Sequence, residues 1–165
     1  MELSAENRRV QEALAAAGSS ARVEALGEST RTAEDAARAV GCPLGAIVKS
    51  LLFLAEGHPV LVLASGDRQV DTARLAGLLG IGRKKLKMAD AEAVRRHTSY
   101  AVGGVPPVGH PQGLPTYVDS ELARFDTVYA AAGSADAVFA IDREELVRMV
   151  GGRLADITKG GSSGG

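Results

Sequence analysis

The sequence has few of the residues that build disulfides or metal sites. It contains one cysteine, Cys42, three histidines and no tryptophan among 165 residues. One cysteine excludes an internal disulfide, and the three histidines, His58, His97 and His110, lack the spacing of the usual metal ligands. We therefore expect no metal and no cofactor.

Long apolar runs and an excess of one charge are also missing. No stretch approaches the roughly 18 consecutive apolar residues of a membrane span, and the N-terminus, MELSAENRRV, lacks the charged-then-apolar order of a signal peptide. The net charge of −1 gives no general attraction to polyanions, so any nucleic-acid contact must come from a local cluster. These features predict a cytoplasmic protein without a membrane segment.

The composition is sufficient for one hydrophobic core. With 45% hydrophobic and 24% charged residues, a chain of this length predicts one domain over residues 1–159. Residues 160–165 consist of glycine and serine and are predicted to form a flexible tail.

Capping residues and apolar periodicity predict a mixture of helices and strands. Helices are expected at 4–18, 32–40, 71–79, 90–97 and 142–150. Strands are expected at 22–28, 46–55, 60–64, 84–88, 116–119, 127–131 and 137–141. The two kinds do not alternate regularly, which disfavours a doubly wound parallel sheet. We expect a single α+β domain with a curved, mixed, barrel-like β-sheet and flanking helices.

Lys49 is the only charged residue between Arg38 and Glu56. It lies within a predicted strand, on the same face as Ile47 and Phe53. Burying an unpaired ammonium costs several kcal/mol, so this lysine must reach water, pair with a carboxylate or face a polar cleft. The alternative to a functional role is a lysine whose stem lies along the sheet while its ammonium reaches solvent at the edge.

The segment from 103 to 115 holds four of the six prolines and is punctuated by glycines. Glycines allow close backbone approach and exposed N–H groups that can hold a carbonyl oxygen or a phosphate. The alternative is a connecting loop without a ligand. His97 and His110 have no evident nucleophile or acidic partner nearby in sequence, and no serine or cysteine triad is present.

One cluster of basic residues stands out. It comprises Arg83, Lys84, Lys85 and Lys87, followed by Arg95, Arg96 and His97. These charges can contact several backbone phosphates of a nucleic acid. A solvated surface is the alternative interpretation.

Four segments, taken in order and spacing, resemble the YbaK/ProX-type aminoacyl-tRNA deacylases. They are residues 47–52 (IVKSLL), 100–109 (YAVGGVPPVG), 127–133 (TVYAAAG) and 155–157 (ADI). That family includes the editing domain inserted in bacterial prolyl-tRNA synthetases. The likeness extends from Thr32 to Ile157, so order and spacing together carry more weight than any single motif.

The resemblance implies a mixed-sheet α+β fold with one pocket. Lys49 matches the family's lysine, which engages the 3′ end of the tRNA near the ester, and it is the expected catalytic residue. The implied substrate-binding residues are Gly103, Gly104, Val105, Pro106, Gly109, His110 and Gly133. The basic residues Arg83, Lys84, Lys85 and Lys87 are then expected to bind the acceptor end of the RNA.

Two positions depart from the family pattern. Pro106 stands where many relatives have a small hydroxyl residue before the shared proline, and Ser134-Ala135 replaces a basic pair that often follows the pocket glycine. Both departures touch the expected site. They leave open which amino acid is removed and whether activity is reduced.

The leading hypothesis is a trans-editing hydrolase that deacylates mischarged tRNA, with tRNA-Pro carrying a small amino acid as the expected substrate. An aminoacyl ester is already activated, so the site needs no strong nucleophile. The alternative is a noncatalytic tRNA-binding or synthetase-associated module of the same fold. A small-molecule ester or thioester hydrolase is disfavoured because no dedicated nucleophile or base is evident. An aminoacyl-tRNA synthetase is a candidate partner.

Overall fold

Polar side chains mark the start of every α-helix in the described part of the chain, residues 3–28 and 30–160 of a computed structural model. A Ser, Thr or Asp before each helix accepts a backbone N–H from its first turn. The helices are α1 (Ala5–Ala16), α2 (Ala33–Val40), α3 (Thr72–Leu79), α4 (Ala91–Thr98) and α5 (Arg143–Val150). The predicted helices are confirmed, with ends that differ by one or two residues.

Ten strands form two sheets within the described residues. They are β1 (Val23–Ala25), β2 (Ile47–Ala55), β3 (His58–Ser65), β4 (Arg68–Val70), β5 (Leu86–Met88), β6 (Thr116–Asp119), β7 (Thr127–Ala131), β8 (Ala137–Asp142), β9 (Arg153–Ala155) and β10 (Thr158–Gly160). The larger sheet has the order β1-β8-β7-β2-β3-β6-β9, and β5 also pairs with β2. β4 and β10 make the smaller sheet.

The larger sheet is mixed, as predicted. β2 with β7, β3 with β6, and β6 with β9 are parallel, and the other pairs are antiparallel. The sheet is curved, but β1 and β9 remain its two ends, so it does not close into a barrel. The α+β expectation is therefore confirmed, and the barrel-like expectation is corrected to an open sheet.

A tight hairpin joins the two central strands. Glu56 and Gly57 both have positive φ, at 51° and 85°, and they alone form the turn between β2 and β3. The predicted strands at 46–55 and 60–64 left His58 and Pro59 in the turn as well. Both belong to β3, where Pro59 faces Leu54 at a position that needs no proline N–H.

The central strands bury side chains on both faces of the sheet. On one face Leu52 and Leu61 belong to a cluster with Leu14 of α1 and Leu146 of α5. On the other face, residues that include Phe53 of β2 pack with those of α3. Burial on both faces explains why β3 reads as a continuous apolar run rather than an alternating one.

Several short elements differ from the prediction made from the sequence. β4, β9 and β10 have three residues each and were not predicted. Residues Arg83–Lys85 form a 3₁₀ turn before β5, where a single strand was expected. Gly160 ends β10 although it was assigned to the tail, and 161–165 lie outside the described residues. No helix in the described ranges is long and apolar enough to cross a membrane.

Candidate active site

Strand β2 lacks a neighbouring strand along the middle of one edge. β3 covers its other edge, whereas on this side β7 pairs only with residues 47–48 and β5 only with residues 53–55. Backbone groups point to alternate edges along a strand, and the Leu52 carbonyl on this side accepts the Ala89 N–H at 3.0 Å. The N–H and C=O of Ser50, two residues earlier, therefore point into the gap.

A cleft of about 270 Å³ opens beside this part of β2. It is lined by Thr30, Arg31, Thr32, Ala33, Ala36, Ile47, Val48, Lys49, Ser50, Leu51, Val102, Gly103, Val105, Tyr129, Ala130, Ala131, Ser134, Ala135, Ala137 and Val138. Most of these side chains are small and apolar. The volume is close to the lower end of the roughly 300–1,000 Å³ typical of ligand pockets, which suits a small occupant.

Lys49 is half-buried and lines this cleft. Its ammonium Nζ donates to the backbone carbonyl of Arg68 at 2.6 Å, and no ion pair within the described ranges includes it. Burial lowers the pKa of Lys49 from its ordinary value, while the carboxylates of Glu34, Asp67 and Asp119 counter part of that shift. The described residues supply no other hydrogen-bond acceptor for the ammonium, so its remaining N–H bonds are unpaired in this structure.

The carbonyl that holds Lys49 lies next to a turn that a partly buried polar network holds in place. Asp119 is fully buried and accepts bonds from the Ser65 N–H at 3.0 Å and the Thr158 hydroxyl at 2.9 Å. Arg124 donates to Asp67 at 2.7 Å, and this bond lowers the pKa of the Asp67 carboxyl. The turn from β3 to β4 is thus held on both sides, and the Arg68 carbonyl is held with it.

Two glycine turns form one wall of the cleft. The Gly133 N–H donates to the Gly104 carbonyl at 2.9 Å, which joins the end of β7 to the 103–115 loop. A Cβ on Gly104 would lie 2.6 Å from the Ser134 Cα, so a side chain cannot fit there. Gly103 and Val105 face the cleft, whereas Gly104 and Gly133 lie directly behind its lining.

The predicted loop residues Pro106, Gly109 and His110 do not line the cleft. A ring nitrogen of His110 lies 2.7 Å from the Pro106 carbonyl, and burial lowers the pKa of His110. The Tyr100 hydroxyl donates to the Gly109 carbonyl at 2.8 Å. These two hydrogen bonds stabilise the conformation of the 103–115 loop.

Sequence reasoning missed two parts of the lining. Ser50 has the only buried side-chain polar atom in the described ranges that makes no hydrogen bond, and this hydroxyl belongs to a cleft residue. Residues 30–33 bring the start of α2 to the cleft. The capping signal at Thr32 located the helix, but no sequence pattern indicated which element it would face.

The four basic residues expected to bind RNA are exposed and lie near the far end of β2 from Lys49. Arg83, Lys84 and Lys85 form the 3₁₀ turn, and Lys87 pairs with Leu54 across the β2–β5 edge. Five residues of strand separate Leu54 from Lys49, which corresponds to roughly 17 Å. The structure therefore places the cluster outside the cleft but along the same strand.

Comparison with known proteins identifies the family of this chain. The sequence model of the family described as "Aminoacyl-tRNA editing domain" matches residues 27–149, which include β2, the glycine loop and β7. The fold thus belongs to the class of aminoacyl-tRNA editing domains. The chain is a member of the aminoacyl-tRNA editing domain family.

Three relatives illustrate the range of the family. One solved structure is described as that of a candidate trans-editing enzyme for prolyl tRNA synthetase. Its sequence is 42% identical to this one, the TM-score is 0.91, and the match covers 96% of this chain and 100% of that chain. EbsC of Enterococcus faecalis, named as a candidate Cys-tRNA(Pro)/Cys-tRNA(Cys) deacylase, is 27% identical over 81% of both chains. The proline–tRNA ligase of Solidesulfovibrio magneticus is 35% identical over 64% of this chain, which corresponds to 18% of the ligase.

Proposed function

We propose that this protein hydrolyses the ester of mischarged aminoacyl-tRNA in trans, with tRNA-Pro carrying alanine, cysteine or serine as the expected substrate. The observation that carries the proposal is the half-buried Lys49 ammonium in a small apolar cleft beside an open strand edge. The charge of Lys49, the size of the cleft and the unpaired backbone donors of β2 suit the aminoacylated 3′ end of a tRNA.

Lys49 is proposed to bind the terminal phosphate. The ammonium has one protein acceptor, the Arg68 carbonyl, so it retains N–H bonds for an anionic oxygen. The cleft is partly closed to solvent, where a charge-assisted bond to phosphate is stronger than at the surface. Binding there would place the ester next to the middle of β2.

The lining favours catalysis by a positioned water. No His, Cys, Asp or Glu lines the cleft; the Ser134 hydroxyl donates to the Asp136 carboxylate at 2.5 Å, but that bond is exposed and Asp136 lies outside the lining. An aminoacyl ester needs less activation than an amide, and the Ser50 N–H and the glycine loop can hold its carbonyl oxygen as negative charge develops. A water oxygen attacks the carbonyl carbon, and the bond to the ribose oxygen breaks. One water proton ends on that ribose oxygen, the other is released to solvent, and the amino acid leaves as its carboxylate.

The small volume supports selection for small side chains. The walls near β7 and α2 consist largely of alanine, which leaves space for a short side chain and little for a long one. A pocket that admits alanine or serine gains only about 1–3 kcal/mol of discrimination per methylene. The relatives named for prolyl-tRNA synthetase and Cys-tRNA(Pro) support the choice of tRNA.

The exposed basic cluster is proposed to contact the acceptor stem while the 3′ end occupies the cleft. Arg83, Lys84, Lys85 and Lys87 would contribute phosphate contacts without reading the bases. Gly103, Gly104, Val105, Pro106, Gly109, His110 and Gly133 are proposed to form or support the aminoacyl-binding side. A synthetase is the proposed partner that supplies mischarged tRNA, and the cytoplasm is the expected location.

The direct test is a panel of tRNAs mischarged with different amino acids, incubated with the protein while the loss of label is followed. We expect hydrolysis of at least one small aminoacyl-tRNA-Pro and none of Pro-tRNA-Pro. Lys49→Ala should abolish turnover with its melting temperature maintained. Lys159→Ala, which changes an exposed lysine outside the cleft, should behave as wild type. Binding of the RNA without hydrolysis of any member would favour the noncatalytic alternative and refute the enzyme.

A further inference from the structure

The amide of Asn7 reaches from the first helix into the wall of the cleft. Asn7 is 4% exposed, and its Nδ2 donates to the Ala132 carbonyl at 2.8 Å and to the Ser134 hydroxyl at 3.0 Å. Its Oδ1 accepts the Ser4 N–H at 3.2 Å within the capping box of α1. Each polar atom of this buried amide therefore has a partner.

The turn that Asn7 holds carries the glycine contact described above. Gly133 lies between the two Asn7 acceptors and donates its N–H to Gly104, while Ser134 lines the cleft. Gly133 has a φ of 102°, and a Cβ there would lie 2.9 Å from the Glu6 carbonyl oxygen. Helix α1 is thus packed directly on the backbone of this turn.

The same helix also supports the glycine and proline loop. The Arg9 guanidinium lies 4.8 Å from the centre of the Tyr100 ring, and the Tyr100 hydroxyl binds the Gly109 carbonyl. A Cβ on Gly109 would meet Ala13 of α1 at 3.5 Å. One helix therefore contacts both backbone segments whose separation sets this wall of the cleft, although α1 precedes the region matched by the family.

We propose that Asn7 is a positioning residue for the deacylation reaction: its amide fixes the 132–134 turn, and through Gly133 and Gly104 it fixes the wall against which the aminoacyl group lies. This inference rests on the proposed function. A displacement of about 1 Å at such a wall can reduce turnover by about a hundredfold. Loss of Asn7 should therefore act on kcat more than on KM, because Lys49 and the RNA contacts stay in place.

A merely structural role predicts a different outcome. Val10 and Leu14 already anchor α1 in the core, so Asn7 could serve stability alone. Gln11 is the matched control, because its side chain also ties α1 to the chain, donating to the Ala21 carbonyl at 3.0 Å and accepting the Val23 N–H at 2.8 Å. Gln11 does not line the cleft or contact its turns.

The experiment compares Asn7→Asp, Asn7→Ala and Gln11→Ala. Asn7→Asp keeps the acceptor that caps α1 and removes both donors to the turn. We expect both Asn7 variants to lower kcat roughly ten- to a hundredfold with KM within about threefold of wild type. Gln11→Ala should also lower the melting temperature, because it loses two hydrogen bonds between α1 and the neighbouring strand segment, while keeping kcat. Equal kcat in Asn7→Asp and Gln11→Ala would overturn the proposal.

Hydrogen exchange of the Gly133 amide tests the role of Asn7 without measuring turnover. The Gly133 amide is protected by the Gly104 carbonyl, so Asn7→Asp should speed its exchange at least about tenfold, whereas Gln11→Ala should not. If wild type hydrolyses no mischarged tRNA, the proposed function fails, and this exchange measurement still decides whether Asn7 fixes the wall. Unchanged Gly133 exchange in Asn7→Asp would refute the positioning role.

Discussion

A methyl group at Gly104 tests whether the two glycine turns form part of the site. In Gly104→Ala the new Cβ would lie 2.6 Å from the Ser134 Cα, 2.8 Å from the Ser134 nitrogen and 2.9 Å from the Gly133 carbonyl carbon. All three are backbone atoms, so no side-chain rotation relieves the contact. Ordinary packing needs separations near 3.4 Å, and the turns must therefore move apart by about 0.8 Å.

That movement has two separable consequences. It breaks or lengthens the bond from the Gly133 N–H to the Gly104 carbonyl, which together with the overpacking should cost about 1–3 kcal/mol of unfolding free energy. It also widens the cleft beside Gly103 and Ser134, so kcat for deacylation should fall roughly a hundredfold.

The assay measures unfolding in denaturant and steady-state deacylation of a small aminoacyl-tRNA-Pro. Gly113→Ala is the control, because it lies in the same loop and a Cβ there meets nothing within 4 Å. It should leave both quantities near wild type. A Gly104→Ala protein that is destabilised but keeps wild-type kcat and KM would refute the assignment of this wall to the site.

Three further predictions concern Lys49, Ser50 and the exposed basic residues. Burial lowers the pKa of Lys49, so deacylation that needs the charged ammonium should slow as pH rises through that lowered pKa, which lies below the ordinary lysine value. A deacylation rate, corrected for spontaneous hydrolysis, that stays constant over this pH range would contradict the role of the Lys49 charge. The stability of the fold should change in the opposite direction. Between the lowered pKa and the ordinary one, the unfolded chain binds the Lys49 proton more tightly than the folded protein does, so the unfolding free energy contributed by Lys49 should rise with pH. The pH dependence of unfolding should therefore differ between wild type and Lys49→Met. Ser50→Ala removes a buried hydroxyl without a partner, so it should leave the unfolding free energy unchanged or raise it by about 1 kcal/mol; a variant that unfolds more readily than wild type would show that this hydroxyl makes a stabilising contact. Replacing Lys84 and Lys85 together by alanine should weaken tRNA binding and reduce the slope of log affinity against log salt by roughly one to two, whereas an unchanged slope would mark an ordinary surface.

The sequence was informative where local chemistry determines structure. The side chains of Ser4, Thr32, Asp71, Asp90 and Asp142 each cap a helix, and each was recognised from its type and its place before an apolar pattern. The long strands β2 and β3 were equally clear. Lys49 was noticed because it is the one charge in an otherwise neutral stretch, and the structure places it in the cleft.

The remaining features depend on contacts between distant segments. β4, β9 and β10 are too short to show a period, yet β4 supplies the Arg68 carbonyl that binds Lys49. Ser50 carries no sequence signal, because only the gap between β5 and β7 leaves its backbone N–H and C=O without a strand partner. His110 resembled a site residue by its place in the loop, but it contacts the Pro106 carbonyl and lies outside the lining.

The measurement that most directly tests the proposed function is single-turnover hydrolysis of the best mischarged tRNA-Pro by wild type and Lys49→Ala, both shown to be folded by thermal unfolding. The cleft chemistry predicts a wild-type rate constant far above spontaneous hydrolysis, and a Lys49→Ala rate constant that falls to the spontaneous value. Equal rate constants for the two folded proteins would contradict a site centred on Lys49.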